Sequence, residues 1–302
     1  MQAEAPIRTH FLAKFTSSGN IVWGTYYGGT ESDGGLAITA DTYNNIYIAG
    51  TTESTNGIAT AGAYQTQNGN SFVAKFSPAG GLLWGTYYGS GGNGAIQGIT
   101  ADAHNNIYIT GYTSSKKNIS TSGAWQTSLA GITNSFVAKF SDSGSYIWGT
   151  FYGSDSIDQG QGITTDLNNN IYITGLTFSS KGLASLGAYQ TSNGGGEDAF
   201  VAKFTPTGNL AWGTYYGNSG NDEAVGVSTD ADSNIYITGT TFSEYDMATS
   251  GAYKTKGDSV SGDAFVAKFT AGGNLTWGTY YGGDSNEVGN AIVAGPNNNF
   301  LH

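Results

Sequence analysis

The sequence predicts an all-β fold in which one four-stranded unit is repeated along the chain. The first observation is a Trp-Gly-Thr-Tyr/Phe-Tyr-Gly motif that recurs with steps of 61, 64, 64 and 65 residues, at Trp23, Trp84, Trp148, Trp212 and Trp277. Self-similarity at a fixed period is typical of repeat architectures. The second observation is that short β-branched and aromatic runs, bounded by Asn, Asp and Gly, fill each interval as strands and hairpins would. The third is that no segment has sustained helical periodicity.

Four predicted strands make up each unit, as the second unit illustrates. They are expected at residues 96–100, 107–111, 136–140 and 146–153. A turn at His104-Asn105-Asn106 joins the first strand to the second, and a Ser-Asp-Ser-Gly turn at 141–144 joins the third to the fourth. A long polar loop separates the second strand from the third and contains Gly123-Ala124-Trp125-Gln126-Thr127.

The predicted strands carry apolar side chains on both faces. In Ile107-Tyr108-Ile109 the isoleucines lie on one face and Tyr108 lies on the other, because side chains alternate along a strand. A sheet that is buried on both faces must be stacked between other sheets. Each first strand also has a small residue before its Ile or Val, as expected where strands crowd around an axis: Ala37, Gly98, Gly162, Gly226 and Ala291. Four-stranded sheets arranged in this way form a β-propeller.

The two ends of the sequence predict five blades and the closure of the ring. The chain begins inside a unit, at 11–15 and Trp23, and stops two strands into another, at 291–293 and 299–302. The last four-stranded antiparallel blade would therefore pair two C-terminal inner strands with two N-terminal outer strands, which removes free sheet edges. Residues 1–10 are expected to be an N-terminal extension and residues 11–302 a single propeller domain. The alternative is that the sequence is cut from a longer array.

Composition and charge exclude several classes of function. The formal net charge is −11, and five of the 11 basic residues occupy one repeated position. Because phosphates are bound by clustered Lys and Arg, no nucleic-acid partner is expected, and no anionic membrane surface either. The absence of Cys excludes disulfides and Cys-ligated metals. No apolar run is long enough to span a membrane and the N-terminus lacks a signal-peptide core, so no membrane insertion is expected.

The repeated motifs resemble a known family. They read D-x-x-N-N-I-Y-I-T-G-x-T, then G-A-Y-Q-T, then [ND]-[SA]-F-V-A-K-F, then G-x-L-x-W-G-T-Y-Y-G, and they extend from about Phe11 to Leu301. This pattern is similar to that of the bacterial β-propeller repeats called SBBP repeats. The resemblance implies a secreted or cell-surface bacterial protein and no common enzymatic activity. The family is named for seven blades, whereas this sequence has material for five.

An acidic residue recurs near the start of four first strands and is a candidate metal ligand. These residues are Asp33, Asp158, Asp222 and Glu287. One hypothesis is a ring of carboxylates at the channel mouth that binds a cation such as Ca²⁺; otherwise no cofactor is expected. The alternative is that they pair with lysines that stand in otherwise apolar third strands and need a partner. Those lysines are Lys14, Lys75, Lys139, Lys203 and Lys268.

A second set of aspartates precedes the Asn-rich turns between first and second strands, at Asp41, Asp102, Asp166 and Asp230. Their Asp-x-x-Asn-Asn pattern resembles the start of an EF-hand loop, but it lacks the Gly and the distal Glu of that motif. Aspartates commonly accept hydrogen bonds from the backbone of their own turn. The sequence therefore predicts turn caps at these positions.

Aromatic residues supply the candidates for ligand binding. The motif aromatics recur in every unit, so packing between blades explains them. Non-repeated aromatics in or beside loops are better candidates, namely Tyr43, Tyr112, Trp125, Phe242 and Tyr245. Trp125 replaces the tyrosine of its sister motifs, which is Tyr64, Tyr189 or Tyr253.

Catalytic residues are not indicated. The three histidines lie near the termini and in a turn, so they suggest no triad and no zinc site. Several acids break the repeat symmetry without forming a recognisable pair: Asp155, Glu197, Glu223, Glu244 and Asp246. A glycoside-active enzyme would need such a pair in two different environments. The chain is therefore predicted to be non-enzymatic.

The predicted function is binding or adhesion outside the cell or on the bacterial surface, with a glycan or a surface protein as partner. The loops between second and third strands are long and variable, and loops on a rigid scaffold often carry function. These loops lie at 53–61, 114–122, 178–186 and 242–250. Their Ser, Thr and Gly content suits neutral sugars or protein backbones. The alternative is a structural, protein–protein assembly module of a bacterial surface structure.

Overall fold

The computed structural model describes residues 10–67, 69–295 and 300–301, and secondary structure within these ranges is entirely β. No helix in this part of the chain has the length and hydropathy of a membrane span. The predicted extension at residues 1–10 falls, apart from His10, outside the described residues, as do Asn299 and His302. The strands are β1 His10–Phe15, β2 Ile21–Tyr27, β3 Asp33–Ala40, β4 Ile46–Thr52, β5 Ser71–Phe76, β6 Leu82–Tyr88, β7 Gly94–Ala101, β8 Ile107–Thr113, β9 Asn134–Phe140, β10 Tyr146–Tyr152, β11 Asp158–Thr165, β12 Ile171–Thr177, β13 Asp198–Phe204, β14 Leu210–Tyr216, β15 Asp222–Thr229, β16 Ile235–Thr241, β17 Asp263–Phe269, β18 Leu275–Tyr281, β19 Val293–Ala294 and β20 Phe300–Leu301.

Four consecutive four-stranded antiparallel sheets form the body of the molecule. We call β3–β6, β7–β10, β11–β14 and β15–β18 blades 1 to 4, and the boundary between consecutive blades a seam. The first strands of successive blades lie side by side, β3 next to β7, β7 next to β11, and β11 next to β15. This radial arrangement confirms the all-β, propeller-like prediction and the strand positions of the repeated unit.

The small residues of the first strands lie where neighbouring blades approach most closely. A Cβ added to Gly162 would lie 2.5 Å from the carbonyl oxygen of Val225 on the next first strand. A Cβ on Gly98 would lie 2.9 Å from the carbonyl oxygen of Gln161. A β-bulge precedes each of these glycines in its strand. The predicted need for small residues around the axis is therefore confirmed at these positions.

Aromatic residues of the repeated motif fill the seams. Tyr152 is fully buried at the end of β10, and its ring centroid lies 5.3 Å from that of Phe200 and 5.6 Å from that of Phe204 on the next blade. Its hydroxyl donates a hydrogen bond to the Leu183 carbonyl at 2.9 Å. The same cluster joins Tyr27 to Phe72 and Phe76, Tyr88 to Phe136 and Phe140, and Tyr216 to Phe265 and Phe269. Each aromatic pair contributes about 0.5–1.5 kcal/mol beyond its buried area, so these clusters are a main source of cohesion between blades.

A tryptophan and a turn also join each blade to the next. Trp148 Nε1–H donates to the carbonyl oxygen of Pro206 at 3.2 Å, and Gly208 of the same turn lies against the indole ring. Gly208 has φ +86°, a conformation that favours glycine. We call this arrangement the turn latch. It recurs for Trp23 with Pro78 and Gly80, Trp84 with Asp142 and Gly144, and Trp212 with Ala271 and Gly273.

Replacing Gly144 with alanine is expected to lower the free energy of unfolding by about 1–3 kcal/mol more than replacing Gly123. Both glycines have positive φ, +82° and +80°, so both variants bear the same backbone cost. A Cβ on Gly144 would lie 2.8 Å from the ring of Trp84, whereas nothing lies within 4 Å of a Cβ on Gly123. Urea unfolding of both variants measures the difference, and equal losses would contradict the turn latch.

The long loops between second and third strands fold back along the outer strand of their own blade. In blade 2, Thr121 N donates to the Gly149 carbonyl at 2.9 Å, and Phe151 N donates to the Gln126 carbonyl at 3.1 Å. The same two backbone hydrogen bonds recur in blades 1, 3 and 4. An uncovered outer strand would present free N–H and C=O groups to other chains. The loops therefore protect the blade edges in addition to forming part of the surface.

The predicted fifth blade is not a single sheet in the described residues. The pair β1–β2 and the pair β19–β20 are separate two-stranded sheets, which we call the N-terminal and C-terminal hairpins. Strand β1 contacts β3 of blade 1, and β19 contacts β15 of blade 4. Four complete blades are thus confirmed, while the fifth blade and ring closure stay predictions.

Candidate functional site

The aspartates before the Asn-rich turns have the predicted capping role. Asp166 Oδ1 accepts hydrogen bonds from the backbone amides of Asn168 and Asn170, each at 2.9 Å. Its Oδ2 accepts from Asn170 Nδ2 and from the Tyr172 hydroxyl, each at 2.9 Å. Burial opposes ionisation of Asp166, but these hydrogen bonds outweigh it and hold its pKa below the ordinary value. The same caps form at Asp41, Asp102 and Asp230.

Two of the repeated lysines, Lys75 and Lys268, form ion pairs with these capping aspartates, and within the described ranges none forms one with Asp33 or its equivalents, so the predicted pairing is wrong. Lys75 Nζ lies 3.7 Å from Asp41 Oδ2, and Lys268 Nζ lies 3.7 Å from Asp230 Oδ2. Lys203 Nζ lies 5.1 Å above the centre of the Tyr172 ring, which itself hydrogen-bonds Asp166. Burial lowers the pKa of Lys203, and the charge of Asp166 partly offsets that effect.

The four acids that were candidate metal ligands lie in four different units. Asp158 is fully buried and accepts hydrogen bonds from the Thr177 hydroxyl, from Ser179 Oγ at 3.1 Å and from Ser154 N at 2.7 Å. Asp33 and Asp222 make the equivalent contacts, and Glu287 accepts from Gly283 N at 3.0 Å. Within the described ranges no three His, Asp or Glu side chains lie close enough to hold a metal ion. The structure therefore does not bring these acids together.

The aromatic residues of the Gly-Ala-Tyr/Trp motif lie at the seams. The Tyr64 ring stacks on Tyr146 of the next blade with centroids 4.4 Å apart, and the Tyr189 ring lies 6.2 Å from Phe269. Trp125 lies 5.7 Å from Tyr152 and keeps 41% of its surface exposed. These side chains combine a structural contact with a partly accessible face. As ligand-binding residues they stay predictions.

The remaining candidate aromatics differ in position. Tyr112 lies on β8 opposite Ala95, and Phe242 lies beside Gly262 at the end of blade 4. Tyr43 is exposed in a turn between first and second strands, which is the opposite end of its blade from the long loop. Tyr245 and Tyr253 are exposed in the same part of blade 4. Tyr253 lines a cavity, and Tyr245 lies beside Lys256 of the same lining.

That cavity is an open cleft of about 730 Å³ beside the long loop of blade 4. We call it the blade-4 cleft. Six of its lining residues carry a charge or an aromatic ring: Glu244, Tyr253, Lys254, Lys256, Asp258 and Asp284. The exposed side chain of Val260 completes the wall. The cleft thus combines both signs of charge with apolar surface.

Charged groups at the rim of the cleft hold each other in place. Lys256 Nζ lies 2.7 Å from Glu244 Oε1 and 5.5 Å from the centre of the Tyr245 ring. The hydrogen bond from Lys256 lowers the pKa of Glu244, and the same contact raises the pKa of Lys256. Asp258 accepts hydrogen bonds from Val260 N and Ser261 N, which lower its pKa. All these groups are therefore charged at neutral pH.

The sequence contains a signal for this cleft in the fourth unit, where two lysines depart from the repeat pattern. The fourth unit reads Tyr-Lys-Thr-Lys at 253–256, where its sisters read Tyr/Trp-Gln-Thr. Lys254 Nζ lies 2.7 Å from Asp263 Oδ1 and forms an ion pair with it. The glutamine at this position in the sister units carries no charge and cannot form an ion pair. This break in repeat symmetry adds charge to the fourth unit and distinguishes it from its sisters.

Four acids also gather at the seam between blades 3 and 4, although the sequence predicted no pair among the symmetry-breaking acids. Burial, followed by the charges of Glu223 and Asp222, raises the pKa of Glu197 to about 7. Burial and the charge of Asp222 likewise raise the pKa of Asp198 to about 7. Gln161 Nε2 donates to Glu223 Oε1 at 2.7 Å. Glu197 and Glu223 therefore lie close enough to interact electrostatically, although the sequence alone indicated no recognisable pair.

Comparison with known proteins supports the repeat prediction. Residues 147–180 and 211–246 match the family model SBBP, a beta-propeller repeat, which confirms the resemblance drawn from the motifs. An uncharacterized WD repeat-containing protein of Acanthamoeba polyphaga mimivirus is 29% identical over 263 residues, covering 72% of this chain and 19% of that protein. The chain thus spans about a fifth of the length of this relative. The chain therefore contains two segments that match beta-propeller repeats, and it is similar to a WD repeat-containing protein.

Proposed function

We propose that the chain is a non-enzymatic protein-binding module that closes into a five-bladed ring and contacts its partner through the blade-4 cleft. The similarity to a WD repeat-containing protein supports a repeat scaffold that presents loops to a partner. The setting that we propose, outside the cell or on the bacterial surface, rests on the resemblance to SBBP repeats.

The group of Glu244, Tyr245 and Lys256 carries the proposal. Tyr245 is 52% exposed, and the Lys256 ammonium lies over its ring while bonded to Glu244. Tyrosines held rigidly among complementary charges are typical centres of protein interfaces. In blade 3 the equivalent positions are Ser180, Lys181 and Ser192, so this group exists in one blade only. A single asymmetric site suits one specific partner.

Ring closure is supported by positions that are buried in the other units and open in the N-terminal hairpin. Phe11 and Phe15 are 74% and 59% exposed, whereas their blade-1 equivalents Phe72 and Phe76 are 0% and 2% exposed. Gly19 has φ +83° like the glycines of the turn latches, yet nothing lies within 4 Å of a Cβ built on it. Docking this hairpin on blade 4 would give each of these residues the contacts of its sisters.

Closure would also define which part of the cleft a partner can reach. Tyr189 packs near Phe269 of the next blade, and the same contact would place Phe15 beside Tyr253. Tyr253 would then become a wall of the fifth seam. The side formed by Tyr245, Lys256 and Glu244 would stay open, because it belongs to the tip of the long loop.

Carbohydrate binding is a second candidate function, and one observation favours it. A pocket of about 190 Å³ lies at the seam of blades 2 and 3, beside the indole of Trp148. Its other walls carry hydroxyl groups, from Thr121, Ser122, Thr150 and Thr207. An indole beside several hydroxyls suits a neutral sugar. Binding at such a pocket would survive any change in the blade-4 cleft.

Peptide selection tests the proposed function. Random peptides displayed on phage are selected on the intact protein, and we expect enriched peptides to lose at least about tenfold in affinity with Tyr245→Ala and with Lys256→Glu. The matched control is Tyr43→Ala, which removes an exposed tyrosine at the other end of blade 1 and should leave affinity unchanged. No enrichment, or enriched peptides that are insensitive to both cleft variants, would contradict the proposal. A glycan array run in parallel identifies the second candidate, whose binding should respond to Trp148→Ala instead.

A further inference from the structure

The seam between blades 3 and 4 contains a buried acceptor that has no donor. Asp198, the first residue of β13, is fully buried, and its Oδ2 accepts from Gly194 N at 2.9 Å and from Gln190 Nε2 at 2.8 Å. Its Oδ1 has no hydrogen-bond partner. A buried polar atom without a partner is costly, so a native structure is expected to supply one.

The partner that faces this oxygen is a second buried carboxylate. A Cβ built on Gly217 would lie 2.8 Å from Asp198 Oδ1 and 2.7 Å from Asp222 Oδ2, so both oxygens face the same glycine. Asp222 is fully buried and already accepts from the Thr241 hydroxyl, from Ser243 Oγ at 2.7 Å and from Asn218 N at 2.9 Å. Two ionised carboxylates would repel each other strongly here, because the site is shielded from water.

The neighbouring seams show what the pair lacks. At the seam of blades 2 and 3 the position of Asp198 is Asn134, whose Nδ2 donates to Asp158 Oδ2 at 3.3 Å while its Oδ1 accepts from Ala130 N. Asp198 Oδ2 accepts a hydrogen bond from Gly194 N, just as Asn134 Oδ1 accepts one from Ala130 N. Asp198 Oδ1 therefore occupies the position of Asn134 Nδ2, which is a hydrogen-bond donor.

The next seam supplies a positive charge instead. There Asp263 takes the position of Asp198, and Lys254 Nζ binds its Oδ1 at 2.7 Å. Blade 3 has Gln190 in place of this lysine, and among the described residues no Lys, Arg or His forms an ion pair with Asp198 or Asp222. Each sister seam thus holds either a donor hydrogen or a cation at this point.

We propose that Asp198 is a carboxylic acid in the folded protein and donates a hydrogen bond from Oδ1 to Asp222, so that one bound proton completes the seam between blades 3 and 4. A proton fits a site in which both carboxylates are fully buried and Asp222, which accepts from three donors, keeps capacity for one more hydrogen bond. A metal ion would need further oxygen ligands, and no three-ligand group exists in the described ranges.

The surrounding groups favour the protonated form. The titratable groups that interact with the pair are acidic or phenolic, namely Glu197 before β13, Tyr215 and Tyr216 on β14, and Tyr280 on β18, and Glu223 on β15 adds its charge beside Glu197. Asp246 adds negative charge next to Tyr280. Burial and Asp222 raise the pKa of Asp198 to about 7, and burial raises the pKa of Asp222 as well.

The sign of the pH dependence follows from these shifts. In the unfolded chain Asp198 ionises near its ordinary pKa of about 4, whereas in the folded chain it keeps its proton to about pH 7. The stabilisation is therefore complete below about pH 4 and is lost as the pH rises towards about 7. The seam of blades 3 and 4 is predicted to weaken in this interval, while the seam of blades 2 and 3, with its asparagine, is not.

Two reciprocal variants test the proposal by thermal unfolding at about pH 5 and about pH 8. Asp198→Asn copies the arrangement of Asn134 and should reduce the loss of Tm between these pH values by at least about 3 °C relative to wild type. Asn134→Asp copies the Asp198 pair into the other seam and should increase that loss by a similar amount. An unchanged pH dependence in either folded variant would overturn the proposal, and so would a calcium-induced rise in Tm that Asp198→Asn abolishes.

Discussion

Replacing Phe15 with alanine is expected to destabilise the protein by about 3–5 kcal/mol, as much as replacing Phe204. Phe204 is fully buried against Tyr152, and Phe15 stands at the same position of its unit. If the N-terminal hairpin docks on blade 4, Phe15 fills the equivalent seam and its loss leaves a cavity. If the hairpin stays undocked, Phe15 remains 59% exposed and its loss should cost less than about 0.5 kcal/mol. Urea unfolding of the two variants separates these outcomes.

Val22→Ala is the matched control for this comparison. Val22 lies in the same hairpin and is 52% exposed, and its equivalents Leu83 and Ile147 are 51% and 46% exposed although their blades are complete. Closure does not bury this position, so the variant should unfold like the wild type. A large loss for Val22→Ala would mean that the hairpin responds to any substitution, and the Phe15 result would then not report on the ring.

Local sequence patterns were sufficient for the strands and for most of the seams. A four-strand unit is set by alternation and turn residues within about 60 positions, and β7 to β10 match the predicted strands of that unit. The repeated tryptophans and tyrosines pack between blades because a side chain that recurs in every unit meets the same neighbour each time. The Asn-rich turns were predictable because a capping aspartate acts on its own backbone.

The predicted lysine partners are wrong because strand direction, and not apolar surroundings, decides which acids the lysines meet. Asp158 begins β11 and Asp166 follows its end, so the two acids lie at opposite ends of the blade. Lys203 is the last residue but one of β13 and pairs in register with Tyr172 near the start of β12. This places the ammonium at the end of the blade where Asp166 caps its turn. The antiparallel register of the strands determines which acid each lysine meets. The apolar surroundings of a lysine show only that it needs a partner.

The blade-4 cleft and the acidic seam depend on loop paths that a repeat pattern does not specify. Glu244 and Lys256 are 12 positions apart, and they meet because the intervening loop folds back along β18. Asp198 and Asp222 belong to different blades and meet only across a seam. Both sites consist of departures from the repeat. Repeat symmetry predicts the scaffold well, and the residues that break it require the three-dimensional structure to be interpreted.

Replacing Asp166 with alanine is expected to cost at least about 3 kcal/mol of unfolding free energy. The carboxylate is 6% exposed and accepts hydrogen bonds from two backbone amides, Asn170 Nδ2 and the Tyr172 hydroxyl. Its loss leaves the buried Tyr172 hydroxyl and the partly buried donors of the turn without this acceptor, and it removes the charge that faces Lys203. Asp166→Asn keeps one acceptor oxygen for the backbone amides, so it should cost roughly half as much. Urea unfolding at neutral pH measures both losses.

The loss of unfolding free energy at acid pH, which we call the acid limb, tests the role of Asp166 independently. Because hydrogen bonds lower the pKa of Asp166 in the folded chain, its stabilisation is complete above the unfolded pKa of about 4 and is lost as the pH falls below it. Asp41 and Asp230 act in the same direction. Asp166→Ala should therefore lose less stability than the wild type between about pH 4 and pH 2. Parallel acid limbs for the two proteins would show that the carboxylate acts only as a spacer in the turn. This dependence is opposite in sign to that of Asp198, so Asp166→Ala should change the loss of stability at acid pH and Asp198→Asn the loss between about pH 4 and pH 7.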